Sequence, residues 1–277
     1  MIRSLRLRVA LFAAVCTLFI GGYWLLFPPM KQPQDYHKFV DDRSMLGVPN
    51  ALNVLSNFPF VLVGALGLAF MWSDRSRRPG IFLESHERWP YWIYFVGLVL
   101  TGFGSSYYHA NPNNHTLVWD RIGLAITLMA LFAGILADRL HPACARWLLA
   151  PLVLLGVGSI LYWDWTERHG VGDLRLWFTV QFFPMIALPI LLFLYPARYT
   201  RGGDLLASLL CYGIAKGLEM LDGQVYASAG FVSGHTLKHL LAGFSAGFIL
   251  LMLWHRQPRG EAFRPVETVP LLYEPEA

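Results

Sequence analysis

GHTLKHLLAGFSAGFILLMLWH, residues 234–255, holds two signals in one stretch. From Thr236 to Trp254 it is almost wholly apolar, broken by Lys238 and His239, and about 20 such residues span a bilayer core as a helix. At its start stand His235 and His239, four residues apart. On a helix that spacing puts both imidazoles on one face, a single turn apart. The stretch therefore predicts a membrane-spanning helix with a paired-imidazole site at one end.

The rest of the chain supports the membrane reading. Of 277 residues 55% are hydrophobic and 14% charged, with a mean hydropathy of +0.44, whereas average soluble domains carry about 25% charged residues. So little charge cannot cover a water-facing surface of this size, but a lipid-facing surface needs almost none. Apolar runs of spanning length occur at about 7–27, 51–72, 91–109, 117–137, 147–163, 176–195, 205–221 and 236–254. The expected fold class is an all-α, polytopic membrane helix bundle. The seventh run is the weakest, since it contains Lys216 and Glu219. The first run follows the basic start MIRSLRLR but continues through the bulky Tyr23–Phe27 with no small-residue cleavage site, so it is expected to remain as a spanning helix. The tail 256–277, rich in proline and glutamate, is expected to be a disordered extension.

Basic residues give the topology. One set of loops and ends carries Arg3, Arg6 and Arg8, then Arg75, Arg77, Arg78 and Arg88, then Arg139 and Arg146, Arg198 and Arg201, and finally Arg256 and Arg259. The alternate set is poorer in basic residues, with none in 110–118 or 223–234. Both termini are then expected on the cytoplasmic side. The net charge of +4 is a topology signal, not a nucleic-acid footprint, and no nucleic-acid partner is expected. Cys16, Cys144 and Cys211 lack the spacing of a disulfide framework or a thiolate metal site.

His109 closes the third run in GFGSSYYHANPNNH, and Asp120 begins the fourth in HTLVWDRIGLAI. The topology places both at the same outward ends as His235 and His239. A lone histidine at a membrane interface is commonly a hydrogen-bonding residue, but ionisable side chains within spans are uncommon and usually functional. Three histidines leave a fourth position open, the pattern of catalytic zinc. Imidazole also suits copper, iron and nickel. Haem fits poorly, because two of the histidines share a helix and the inner ends carry no second pair.

Asn53-x-x-Ser56-Asn57, Ser105-x-x-x-His109, Asp120 eleven residues later and His235-x-x-x-His239, taken in this order, resemble the alkaline ceramidase family. Its wider superfamily of seven-helix hydrolases includes the adiponectin and progestin receptors. The resemblance covers about residues 35–255. It implies a seven-helix core from runs two to eight, preceded by one extra N-terminal transmembrane helix and connector (1–34). It implies Zn2+ on His109, His235 and His239 with Ser105 and Asp120 beside it, and hydrolysis of a membrane lipid amide to a fatty acid and a sphingoid base. The alternatives are a hydrolase of another acyl lipid, or a receptor-like or metal-binding protein without hydrolysis. One departure concerns the family's calcium site. Where that motif has a glutamate three residues before the Asn53 equivalent, this chain has Asn50. Asp35, Asp41 and Asp42 remain with Asn50 as oxygen donors for Ca2+, although a polar loop is also what an outward loop requires.

By this analogy Asp120 serves as proton acceptor and donor, and Ser105 hydrogen-bonds the developing oxyanion, with Ser106 as the runner-up. Asn53, Ser56 and Asn57 are expected to support the ligands from behind. Lys238 is expected to point away from the metal face, with Glu219 and Asp222 as its partners. Trp163, Trp165 and Trp177 are expected as interfacial anchors. The active site is expected on the outward, periplasmic or lumenal, side of a bacterial inner membrane or an internal eukaryotic one.

Overall fold

A computed structural model describes residues 5–259 and contains no strand among them. In chain order the helices are α1 (Leu5–Leu26), α2 (Ala51–Leu55), α3 (Phe58–Trp72), α4 (Asp74–Arg77), α5 (Trp89–Ala110), α6 (Asn114–Arg139), α7 (Ala143–Trp147), α8 (Leu149–Arg168), α9 (Arg175–Leu194), α10 (Gly202–Met220), α11 (Asp222–Ala229) and α12 (Gly234–His255). Short 3-10 turns lie at Gln34–His37 and Ser85–Arg88. The all-α bundle expected from the apolar runs is present. Six helices are long and apolar enough to cross a membrane: α1, the joined α2–α3, α6, α8, α9 and α12. The other two long helices, α5 and α10, have 22 and 19 residues but are richer in aromatic or charged side chains.

The run 51–72 is not one smooth helix. It breaks at Ser56–Asn57, and Pro59 falls in the first turn of α3, where its missing N–H does no harm. The break turns the Ser56 hydroxyl and the Asn57 amide back onto the carbonyl of Asn53, at 3.1 and 2.9 Å.

Close helix contacts hold the candidate site together, and two glycines make them possible. A Cβ on Gly104 would lie 2.3 Å from the Trp119 carbonyl oxygen, so only glycine lets α5 and α6 approach at the level of Ser105 and Asp120. A Cβ on Gly234 would lie 2.2 Å from the Leu218 carbonyl oxygen, which brings the start of α12 against the end of α10. Small residues at such crossings are how helices pack where lipid supplies no hydrophobic drive.

The opposite end of the bundle is fastened by buried ions. The Arg256 guanidinium lies between the Phe82 and Tyr199 rings, at 4.3 and 4.1 Å. It donates to Asp138 at 3.3 Å and to the Ile81 carbonyl at 2.6 Å. Glu87 accepts from both Arg198 and Tyr199. Just beyond, Gln257 and Arg259 exchange backbone hydrogen bonds with Thr200 and Arg198, at 2.8 Å each. The expected boundary at 255/256 is therefore a few residues too early, because Arg256 is a core residue. The remainder of the tail, from Gly260, lies outside the described residues.

α1 sits apart on the flank of α9. Its Trp24 indole donates to Thr179 at 3.2 Å and receives the Arg175 guanidinium 4.5 Å from its ring. The rest of the bundle closes without it.

Candidate metal centre

Helix capping sets the height of each candidate ligand. Ser233 accepts from the Thr236 N–H at 3.1 Å and starts α12 one residue before His235. Asp222 accepts the His235 N–H at 2.8 Å, satisfying a donor that the first turn of a helix leaves free. Asn113 and Thr116 form a reciprocal cap on α6, which holds Asp120 in the second turn. His109 lies in the last turn of α5, one turn beyond Ser105. All four side chains thus gather at one end of the bundle.

There His109, His235 and His239 converge, exposed by 1, 6 and 4%. Their ring centroids are 4.8, 4.8 and 4.9 Å apart. One ligand nitrogen from each lies within 4.8 Å of the others, so the three can hold a metal ion. The fit extends to individual atoms. Ser56 donates its single hydroxyl proton to the Asn53 carbonyl at 3.1 Å and lies 2.9 Å from His239 Nδ1. Its oxygen therefore accepts from Nδ1–H, which leaves Nε2 of His239 as a lone pair. His235 Nε2 and His109 Nε2 face each other at 3.3 Å, a separation that needs a proton or a cation between them. His109 Nδ1 is buried without a partner.

Supports surround the rings. Asn53 accepts from Thr236 at 2.9 Å and donates to the Asp41 carbonyl at 3.2 Å, joining α2 to α12 and to the loop before it. Asn50 donates to the His109 carbonyl at 2.8 Å. Phe39 lies over the pair of imidazoles, with its centroid 4.6 Å from His109 and 5.0 Å from His235, and shields them on the loop side. His37 lies 2.9 Å from the Tyr108 hydroxyl and 2.8 Å from Asn114, pinning that loop to α5 and α6. Phe39 and His37 escaped the sequence reading because neither belongs to a periodic pattern or a spaced motif.

Ser56→Ala tests this support. Removing the partner that orients a ligating imidazole weakens metal binding by about 10–100-fold. The loss is expected in a chelator competition on purified protein, and an unchanged dissociation constant would remove Ser56 from the site.

Beside the histidines opens a cavity of about 320 Å3, within the range of about 300–1,000 Å3 typical of small-molecule sites. Ser105, Asp120, Lys238 and His239 line its polar part, while Leu98, Leu128, Leu131, Phe132, Ile135 and Ile249 line its deep part. Ser105 is 3% exposed and shares this wall of the cavity with the Asp120 carboxylate. Ser106 is turned elsewhere and donates to the Val54 carbonyl at 3.2 Å, so helix phase decides between the two serines.

Several expectations need correcting. Lys238 does not point away: its ammonium lies 3.1 Å from His235 Nε2 and 2.9 Å from Glu219. The single lone pair of His235 Nε2 cannot both accept from Lys238 and hold a metal, so a metal there would leave Lys238 to Glu219, which also pairs with Lys216. That ion cluster explains how the weakest apolar run enters the bundle, since its charges neutralise one another inside. Glu219 is the partner foreseen for Lys238, but Asp222 caps α12 instead. Trp163 and Trp177 are buried, 0 and 3% exposed, and hold the Arg121 guanidinium at 4.4 and 5.8 Å from their rings; only Trp165 is exposed.

Two of the oxygen donors considered for calcium are already engaged by cationic side chains. Asp35 pairs with Lys38 at 2.7 Å. Buried Asp41 takes a two-pronged contact from Arg43, at 2.7 and 2.8 Å, which holds its carboxyl below the usual range. Among the described residues the three histidines form the one group of three or more His, Cys, Asp or Glu with ligand atoms this close, so Asp35, Asp41 and Asp42 do not form such a group.

The chain matches no protein-family model and no curated protein.

Proposed function

We propose that the protein is an integral-membrane, zinc-dependent amidase that hydrolyses ceramide-like lipid amides. The observation that carries this reading is the adjacency of three elements: a buried three-histidine cluster, a carboxylate and a serine on one cavity wall, Asp120 and Ser105, and a cavity that is polar at one end and apolar along its depth. A structural site needs no such carboxylate and no such cavity.

The donor set fits zinc: His109, His235 and His239 would hold it through three neutral nitrogens, the donor number of catalytic zinc sites, and His239 borders the cavity. When bound, the ion lowers the pKa of water towards about 7 and polarises a carbonyl. The remaining work falls to the chain. The apolar walls hold the acyl chain and bring the amide carbonyl to the level of Ser105 and His239. Once Asp120 has taken up a proton it no longer needs the Ser105 hydroxyl proton, and Ser105 donates that proton to the carbonyl oxygen as it gains negative charge. Asp120 takes a proton from the attacking water and delivers it to the leaving nitrogen. The water oxygen joins the acyl carbon, the C–N bond breaks, and a carboxylic acid and an amine leave. Phe39 and the loop 28–50 limit bulk water on the open side.

The arginine distribution supports an orientation with both termini cytoplasmic and the site at the outward face. The direct test is fatty-acid release from a ceramide by the purified protein in detergent, before and after chelation. Release that stops on chelation and returns with zinc supports the reading; a metal-loaded protein that releases no fatty acid from any lipid amide overturns it.

A further inference from the structure

Arg121 stands out in the cavity wall. It is 5% exposed, yet it belongs to none of the ion pairs among the described residues. The other fully buried arginine, Arg256, has Asp138. Arg121 instead has a neutral partner, with Nη2 donating to Gln32 Oε1 at 2.6 Å. The Tyr36 ring lies 5.8 Å from the guanidinium. Nη1 is buried with no partner at all. Burying a cation is unfavourable unless it is paired and fully hydrogen-bonded. The neighbouring Asp120 acts on Arg121 only at longer range, without an ion pair, so the guanidinium has no contact counter-ion and is held ready for one.

The place of Arg121 indicates which counter-ion. It lines the same cavity as Asp120, Ser105 and His239, in the second turn of α6, while Leu128, Leu131 and Ile135 follow inward along that helix. Each turn of helix advances 5.4 Å, so the guanidinium stands at the polar end and the apolar walls lie beneath it. We infer that Arg121 binds a carboxylate on the polar end of a single-chain lipid, which makes N-acyl amino acids a preferred substrate class of this hydrolase. A carboxylate matches the planar guanidinium and adds the single charge needed to balance it. A phosphate would call on further free cations, and the nearby Lys216 and Lys238 are already paired with Glu219. The inference rests on the proposed amidase reading only for the position of the scissile bond.

The experiment uses the full chain, purified with its metal in detergent, and two near-isosteric probes. N-oleoylglycine carries the carboxylate; N-oleoylethanolamine replaces it with a neutral hydroxymethyl group. Oleate is added to separate a headgroup carboxylate from that of a released fatty acid. Thermal stabilisation and kcat/KM are measured for each. The wild type is expected to favour N-oleoylglycine at least about tenfold, the order of one charge-assisted hydrogen bond. Arg121→Gln should abolish the preference through KM while leaving N-oleoylethanolamine turnover nearly unchanged. Equal response of the wild type to the two probes overturns the inference whether or not the variant folds, as does a preference that survives in Arg121→Gln. Stabilisation by oleate alone overturns the substrate class. Arg121-dependent stabilisation by N-oleoylglycine without hydrolysis of any amide sustains the carboxylate site and removes the amidase reading. Hydrolysis of neutral amides with no carboxylate preference does the reverse.

Discussion

Asp120→Asn is expected to keep its metal and lose fatty-acid release by about 10²–10⁴-fold, the usual contribution of a positioned proton-transfer group. Two carboxylates line the cavity, Asp120 and Glu219. Glu219 is held by Lys216 and Lys238 and has no freedom to accept a proton. Asp120 is in no such pair and lines the cavity beside Ser105, where the proposed reaction would place the substrate carbonyl. Asparagine preserves the shape of the side chain but cannot take up the proton. The measurement is metal content together with initial rates on one preparation. Retained metal with lost release assigns Asp120 to catalysis, whereas unchanged release removes it from the mechanism. Loss of both would show that Asp120 acts by supporting the ligands.

His235→Ala should have an equally large effect on a different quantity. Three donors are the minimum from which a zinc site with an open position is built, and no fourth His, Cys, Asp or Glu joins this group among the described residues. The variant is therefore expected to purify with less than about a tenth of the wild-type metal. Because a bound metal stabilises the folded state that holds it, chelation should lower the melting temperature of the wild type and leave that of His235→Ala unmoved. That second readout separates a lost ligand from a misfolded protein. One equivalent of zinc retained in the variant would overturn the ligand assignment.

These two residues also show how far the chain could be read before its fold was known. His235 and His239 announce themselves because a helix repeats every 3.6 residues, and four-residue spacing leaves no choice of face. Asp120 and His109 could be placed at the same end by the alternation of basic loops, which depends on chain order alone. The bundle itself was equally legible, since so little charge and such long apolar runs leave few other folds. The neighbours were another matter. Lys238 shares a helix turn with both imidazoles, and spacing suggested that it faced outward. A flexible four-carbon stem and Glu219 across the α10–α12 contact bring it back to His235. Trp163 and Trp177 had the composition of interface anchors, but they enclose a guanidinium from another helix.

What the sequence determined by itself was periodic: which segments are helices, which ends carry histidine, and that three imidazoles can meet. These follow from local repeat and from the polarity of loops, and both act over a few residues. What only the tertiary structure decided was which side chains become neighbours across helices. Ser105 over Ser106 as the serine on the cavity wall, Phe39 as the cover of the imidazoles, and Arg121 without an ion pair all depend on how separate elements pack, with Gly104 and Gly234 setting two of the closest helix approaches. That approach is set by packing at the scale of single atoms, where one Cβ would part the helices, and it leaves no period in the chain to read.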